Sequence, residues 1–564
     1  MLRKIQLAAC LSLFGVLTAC GGGGGGGGGL ASLSIGGVAA TGAAIQSGTV
    51  SAKCARGTAT TTTNADGTYT LTISDGVLPC ILKANEPITN TDYYSVAEVG
   101  ATTANITPLT HLVAANTLSD APSNAFSNFD SLAQAKITSA KISTAMTNIQ
   151  AATASLGADA DMTGIDLLKT NFKPAVGSAS GDATDQKIDA LMTALAAANK
   201  RITDLENQLK SVASTNAAST NLLNTLGSAV DKLPSCPYAR STKVWVMDML
   251  GSSPIQYAVD FAAMTLTQVS NNQVSPILAK TDGSNNPIKC AFTSTINGSS
   301  VEYRVARGGN IVWTKANDFG LAVPSQSAWG LSDAQAVGTY PTMTYVTRKD
   351  NHNIRGAFPM KIVIKPDGSV DGYTCDLSKS APDCTNVVED SAEKNTCTKL
   401  QSGAFTCTST SGTTSVGILY VNGGQATLYL AITDMVSNGF HWGGLAVATK
   451  AVDLRLPKVG EISAAGAAWF AGIDPSSLTL SSGATSAATV DSVDAGNNSF
   501  ITSTSGTAQT IQRYINVPTP GMSYSVLSNA KAVTLVGNGG WSLAITKLNS
   551  STLWDGWYAY IAAP

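Results

Sequence analysis

Hydrophobic and polar positions alternate with period two through three early stretches of the chain. Val50, Ala52 and Cys54 alternate with Thr49, Ser51 and Lys53, and Tyr69, Leu71 and Ile73 alternate with Thr70 and Thr72. Cys80, Leu82 and Ala84 repeat the phase. Successive side chains of a strand point to opposite faces, so this pattern predicts half-buried strands. It also puts Cys54 and Cys80 on inward faces, where they can meet. Asn64-Ala65-Asp66-Gly67 supplies the turn chemistry between two of these strands.

The period changes between about Asp130 and Leu233, where Ala is abundant and Pro174 and the run Gly177 to Gly181 mark a break. Ile188, Leu191, Leu195, Ala198, Ile202, Leu205, Leu209 and Val212 recur at steps of three and four. That is an a/d stripe of about three and a half heptads. It predicts either a short coiled coil, with oligomerisation through residues 183–213, or an α-helical hairpin against a Lys136–Leu156 helix. The short stripe and its few flanking charges favour the hairpin. Upstream, Asn105 to Leu112 opens a short helix with Pro108 near its first turn, and His111 there reads as a structural residue.

From Cys236 onward the pattern is β again. Met360, Ile362 and Ile364 lead into the turn Pro366-Asp367-Gly368, and Ile418 to Val421 turns at Asn422-Gly423 into Thr427 to Leu430. Asn-Gly between apolar runs is the strongest short hairpin signal. Asn538-Gly539-Gly540 repeats the device, and both hairpins lead into Leu-Ala-Ile-Thr, at Leu430–Thr433 and Leu543–Thr546, a hint of duplicated units. The fold class expected is therefore multidomain and mainly β with a helical middle segment. A small N-terminal β-sandwich (30–104) and a helical spacer (105–235) precede a large C-terminal antiparallel region (236–564). That last region reads as a sandwich or barrel, or as two domains dividing near Lys458–Ser463.

The first residues carry a different signal. Arg3 and Lys4 precede an apolar run from Ile5 to Val16, followed by Leu17-Thr18-Ala19-Cys20. The run is too short to span a bilayer, and the order is that of a secretory signal peptide over residues 1–19. The last four residues resemble the lipobox of bacterial lipoproteins. That resemblance implies a thioether-linked lipid on Cys20, and Gly rather than Asp at position 21 implies sorting to the outer membrane. Gly21 to Gly29 then form a flexible tether. Removing Arg3 and Lys4 changes the balance from 35 − 37 = −2 to 33 − 37 = −4, which points to no nucleic-acid partner.

Cys10 leaves with the signal peptide, and eight cysteines remain beside Cys20: Cys54, Cys80, Cys236, Cys290, Cys375, Cys384, Cys397 and Cys407. An even number in an exported chain predicts disulfides. Their local grouping suggests Cys54–Cys80, Cys236–Cys290, Cys375–Cys384 and Cys397–Cys407. Zinc is the rival use of the last four, but they lack C-x₂-C spacing and a nearby His. Around the first pair, Gly48, Val50, Thr63, Asp66, Gly67, Tyr69 and Leu71 resemble the signature of the carboxypeptidase-regulatory-like module, a transthyretin-like β-sandwich. The resemblance implies architecture, adhesion and spacing rather than catalysis.

Residues for chemistry are sparse. His111, His352 and His441 lie far apart, and none has a metal ligand two to five residues away. No zincin, nucleophile-elbow, dinucleotide or Walker pattern occurs. Ser391-Ala392-Glu393-Lys394 matches Ser-x-x-Lys in a polar stretch that would not present the serine. Asp248, Asp260, Glu302 and Asp318 are candidate acids for a hydrolase. Asp367 to Asp371 reads as a turn rather than a Ca²⁺ site. No catalytic residue, metal ligand or cofactor is therefore assigned. All eight tryptophans follow Cys236, and Trp442, Trp554, Trp557 and Tyr558 are candidates for stacking on a ligand. The odd spacing of Trp554 and Trp557 predicts rings on opposite faces of one strand. The function expected is a non-catalytic outer-membrane lipoprotein, held to the membrane by its lipid, that presents a β-rich domain to a glycan or to an envelope or host protein. The alternatives are an envelope hydrolase and a scaffold oligomerising through the helical segment.

Overall fold

The computed structural model describes residues 32–561 except 88–89, 177–180, 234, 317, 379–381, 388–394, 411, 423–424, 461, 464–468, 474–479, 485–487, 505–509, 538–540, 551–553 and 555. The expected signal peptide, Cys20, the glycine run, the Ser391–Lys394 motif and the centres of both Asn-Gly turns lie outside the described residues.

The early alternation folds as expected into two small sheets. Leu33–Val38 pairs with Thr68–Ile73. A four-stranded sheet runs in the order Thr58–Thr62, Thr49–Arg56, Val77–Glu86, Thr91–Ala97. Val50, Ala52 and Leu71 are buried between them. Cys54 stands opposite Cys80 in register, and the two are disulfide-bonded, as are Cys236–Cys290, Cys375–Cys384 and Cys397–Cys407. Gly67 closes its turn at φ +77°, where any Cβ would crowd Ala39 and Ala44.

The helical segment is not an extended spacer. Pro108–Leu118 is capped by Thr107, whose side chain accepts from Thr110 N while Thr110 Oγ1 accepts from Thr107 N. This helix is buried on nearly every side, its polar Thr110, His111 and Thr117 included. One continuous core joins Ile35, Leu82 and Tyr93 of the sheets to Leu112, Ile149, Leu205 and Leu222 of the helices. The apolar stripe also departs from expectation. Helix Ala183–Ala197 stops beside Asn199, at φ +56°, and a second helix restarts at Ile202–Leu209. Asn tolerates the left-handed region, so the stripe turns a corner. Ile188, Leu191, Ile202, Leu205 and Leu209 are all buried within one chain. Helix Ser139–Ala154 packs on Thr215–Leu226 rather than on the stripe.

Three sheets make up the rest. The first is a closed barrel of eight strands, Thr242–Asp248, Ile255–Asp260, Thr265–Gln268, Gln273–Thr281, Pro287–Ile296, Ser299–Val305, Ile311–Lys315 and Asp318–Pro324. Its last strand pairs with its first, Leu321 facing Met247. A nine-stranded sheet covers Gly338–Arg348 to Phe440–Thr449, and a ten-stranded sheet covers Ile462–Ser463 to Gly556–Ile561. The two meet near the expected division yet are not separate bodies. Met247 and Phe319 outside the barrel, Tyr345 and Val447 of the second sheet and Leu543 and Trp557 of the third share one core. Tyr345 and Trp557 lie 5.7 Å apart there, ring to ring. The two Leu-Ala-Ile-Thr segments do not reflect duplication. Ala431 faces the shared core in one, but Leu543 and Ile545 face it in the other, so opposite positions are used.

The barrel also docks on the helices. Arg307, from the loop between its sixth and seventh strands, reaches Asp189 at 3.2 Å. Asp185, one turn away, accepts from Ala175 N at 3.0 Å. Burial pushes both carboxyls up, the Asp189 charge adding to the effect on Asp185.

Candidate functional site

An eight-stranded barrel has an interior just wide enough to be filled by its own side chains or to hold one small ligand. Here it is not filled. Inward positions alternate along each strand, as at Val244 and Val246, Tyr257 and Val259, Val301 and Tyr303, Ile311 and Trp313. Many are small aliphatics, and a cavity of about 220 Å³ remains between them. An apolar cavity of about 150 Å³ stays dry and takes up benzene, so this one has room for a ring with a short substituent.

Aromatic packing keeps the walls apart. Phe292 stacks on Tyr303 with centroids 4.9 Å apart, and Phe261 meets Phe292 edge-on at 6.0 Å. Trp313 stands opposite Gly320, where a Cβ would come within 2.8 Å of the indole and strike the Met247 carbonyl. The indole Nε1 donates to that same carbonyl at 3.2 Å. Leu233, Cys236 and Tyr238 belong to the barrel's core and close one end, fixed by the Cys236–Cys290 bond.

Polar groups sit at two levels. Within the cavity, the Tyr303 hydroxyl is buried without a hydrogen-bond partner among the described residues. Burial pushes its ionisation well up, so it stands as a neutral donor. A buried polar group left unpaired costs about 1–3 kcal/mol. At the open end stand Asp248, Ser252, Ser253, Asn297, Lys315 and Asp318, with Ser252, Ser253 and Asn297 exposed. Asp248 Oδ1 accepts from Leu250 N at 3.1 Å and Ser252 N at 3.0 Å. Asp318 is pushed up to about 6, by burial first and the Asp248 charge second, against the Phe319 backbone bond and Lys315. A carboxyl that changes charge near neutrality therefore stands at the mouth of an apolar cavity.

The candidate acids separate in space. Asp248 and Asp318 come together at this mouth. Asp260 is exposed at the opposite end, accepting from Ala262 N and Ala263 N at 2.9 Å each. Glu302 points outward between Val301 and Tyr303 and is paired with Lys280 and Arg304. The histidines do not meet. His111 Nε2 lies 2.9 Å from Glu206 in the helical core, the exposed His441 is 3.0 Å from Asp434, and His352 is exposed beside Thr347. Asp367 accepts from Ser369 N and Oγ as a turn residue, and Asp371 pairs with Lys365.

The stacking candidates need correction. Trp557 is 1% exposed in the shared core and cannot meet a ligand. Trp554 precedes the strand, which begins at Gly556, and packs half-buried against that same core, its carbonyl accepting from Ala357 N. The two rings thus do not alternate across one strand. Trp442 is half-buried opposite Arg348 and Met435. Tyr558 lies on the other face of the third sheet, 6.1 Å from Phe470. The sequence reading missed Tyr303, Phe292 and Trp313. Their signal was the period-two rhythm of residues 242–324, which marks inward positions without telling whether opposite walls touch. No family model, curated protein or solved structure matches the chain, so the functional reading rests on this geometry.

Proposed function

We propose that this protein is a lipid-anchored binding protein of the bacterial envelope and that its first barrel takes up one small ligand with an apolar ring and a cationic end. The observation that carries the binding reading is the apolar cavity of about 220 Å³ with the unpartnered Tyr303 hydroxyl inside it. The π face of a ligand ring, or an oxygen carried on it, accepts from that hydroxyl. Two carboxyls against one lysine at the mouth favour a ligand whose outer end is an amine. The ligand class is therefore a small arylalkyl amine, with its ring between Phe292, Tyr303 and Trp313 and its ammonium toward Asp318.

Anchoring is supported by the lipobox-like Leu17-Thr18-Ala19-Cys20 and by the glycine run, which would let the folded body stand off a membrane. Mass analysis of the N-terminal peptide tests it: a diacylglyceryl group on Cys20 is expected, and an unmodified or uncleaved N-terminus would end this part of the proposal. Calorimetric titration of the full chain with phenethylamine tests the cavity. Saturable binding of one equivalent is expected, and heats no larger than dilution would overturn the ligand class.

A hydrolase reading draws on the pairing of Asp248 and Asp318. Glycoside hydrolysis needs carboxylates on either side of the scissile bond. These two stand on neighbouring strands of one wall, near Gly320 and its register partner Asp248. Both approach a ligand from the same side, which suits recognition of a cation better than bond cleavage.

A further inference from the structure

Helix Ala183–Ala197 is gripped at the closed end of the first barrel. Arg307 pairs with Asp189 at 3.2 Å, and the Arg307 carbonyl accepts from Thr193 Oγ1 at 3.1 Å. Arg240 Nη2 donates to Ala190 O at 3.4 Å, and its Nη1 donates to Val230 O at 3.2 Å. The N-terminal sandwich reaches the same place, since a Cβ on Gly42 would strike Asp189 Oδ1. Sandwich, helix and barrel therefore close together around one ion pair.

Asp185 stands one turn from Asp189 on this helix and is 0% exposed. Its Oδ2 accepts from Ala175 N at 3.0 Å and packs on Gly181, whose place no Cβ could share. Its Oδ1 is buried with no partner among the described residues. The other charged and titratable groups here are accounted for. Asp182 caps the helix and accepts from the backbone N–H groups of Lys173, Thr184 and Asp185. Tyr238 is kept neutral by burial, and Arg240 is bound to its two carbonyls. That leaves two carboxyls against Arg307, whose side chain is 4% exposed and whose Nε is buried without a partner among the described residues. If both carboxyls ionised, one negative charge would stay unmatched away from water, which is costly. A buried acid beside a like charge keeps its proton instead. Burial holds the Asp185 carboxyl above its ordinary range, and the Asp189 charge adds to this against the Ala175 N–H and Arg307.

We infer that Asp185 is a proton-operated latch on the barrel's seat. As the neutral acid it lets sandwich, helix and barrel close around the Asp189–Arg307 pair, and on ionisation it opens that seat to water. The closed seat holds a proton that the open, hydrated seat releases. Opening therefore rises with pH, by up to about tenfold per pH unit, until Asp185 ionises in the closed form as well.

The test is hydrogen exchange of the full chain, read by mass spectrometry on residues 183–197 and 306–310 and corrected for the intrinsic effect of pH. Opening is expected to rise at least tenfold between about pH 5 and pH 7. Asp185→Asn keeps an acceptor for Ala175 N and cannot ionise, so its opening should not vary with pH. Thr193→Val removes a neutral bond of the same seat and should raise opening by a similar factor at every pH. Asp318→Asn, at the other end of the barrel, should leave the slope as in wild type. A flat wild-type profile overturns the inference, as does a slope that survives Asp185→Asn or disappears in Asp318→Asn. Should Asp185→Asn fail to fold, the other two profiles decide: slopes in both wild type and Asp318→Asn support the latch, and the absence of either overturns it.

Discussion

The first barrel and the strands from Ala488–Asp494 to Gly556–Ile561 of the ten-stranded sheet are both antiparallel meanders, and the faces they turn away from the shared core are chemically opposite. The barrel interior is aliphatic and aromatic, with one unpaired hydroxyl and a mouth carrying two carboxyls. The third sheet's face away from that core buries the hydroxyls of Thr502, Ser523 and Ser525 beside the half-buried Arg513. Strand geometry supplies only the alternation of inside and outside. Which ligand each interior suits is decided by the few residues at inward positions, and those differ in kind between two similar scaffolds.

The largest effect expected is from Val301→Trp, which places an indole in the barrel cavity. Phenethylamine binding should fall at least a hundredfold, read by the same titration, while the circular-dichroism spectrum is unchanged. Unchanged amine binding would break the comparison by showing that the ligand does not enter the barrel. The overpacking itself should cost no more than about 1–3 kcal/mol.

Gly320→Ala comes next. The added methyl strikes the Met247 carbonyl and approaches the Trp313 ring, and backbone atoms cannot step aside cheaply. A loss of about 1–3 kcal/mol is expected, measured by the denaturant midpoint. No loss would mean that Trp313 does not hold the wall where it stands.

The pH response sharpens the contrast in charge. Asp318 has a folded value of about 6 against 3.8 for the ordinary group. Between those values the folded state binds more protons than the unfolded one, so the empty protein loses stability as pH rises from about 4 to 6. An amine ligand prefers the carboxylate, so its affinity should rise over pH 5 to 7, by about tenfold if the pair is well formed. Asp318→Asn should flatten both curves. An amine affinity that falls with pH over this range would contradict the assignment of Asp318 to the ligand's ammonium.

The smallest effect expected is from Tyr303→Phe. Its hydroxyl has no partner among the described residues, so stability should hold or rise slightly. Affinity for benzyl methyl ether, which accepts a hydrogen bond, should fall a few-fold while that for toluene is unchanged. Equal effects on both would assign Tyr303 to packing alone.

Much of this fold was legible in the sequence and little of the site was. Period-two patterning marked the early strands, and local grouping of the cysteines gave the pairs now found bonded. The helical stripe misled because heptad spacing continues through Ala198 to Ile202, while the backbone turns at Asn199. The cavity was hidden for a different reason. Tyr303 and Phe292 are ordinary inward residues of a strand pattern, and only closure of eight strands shows that their opposite walls do not touch. Asp248 and Asp318 were named among four acids, but 70 residues separate them in sequence. Their meeting depends on the pairing of the barrel's last strand with its first.

The most direct test of the barrel's apolar interior needs no choice of ligand. A crystal structure of the full chain under xenon pressure should show xenon between Phe292, Tyr303 and Trp313, and none beside Arg513. Ordered water filling the barrel, or an interior closed by its own side chains with no xenon, would contradict the account.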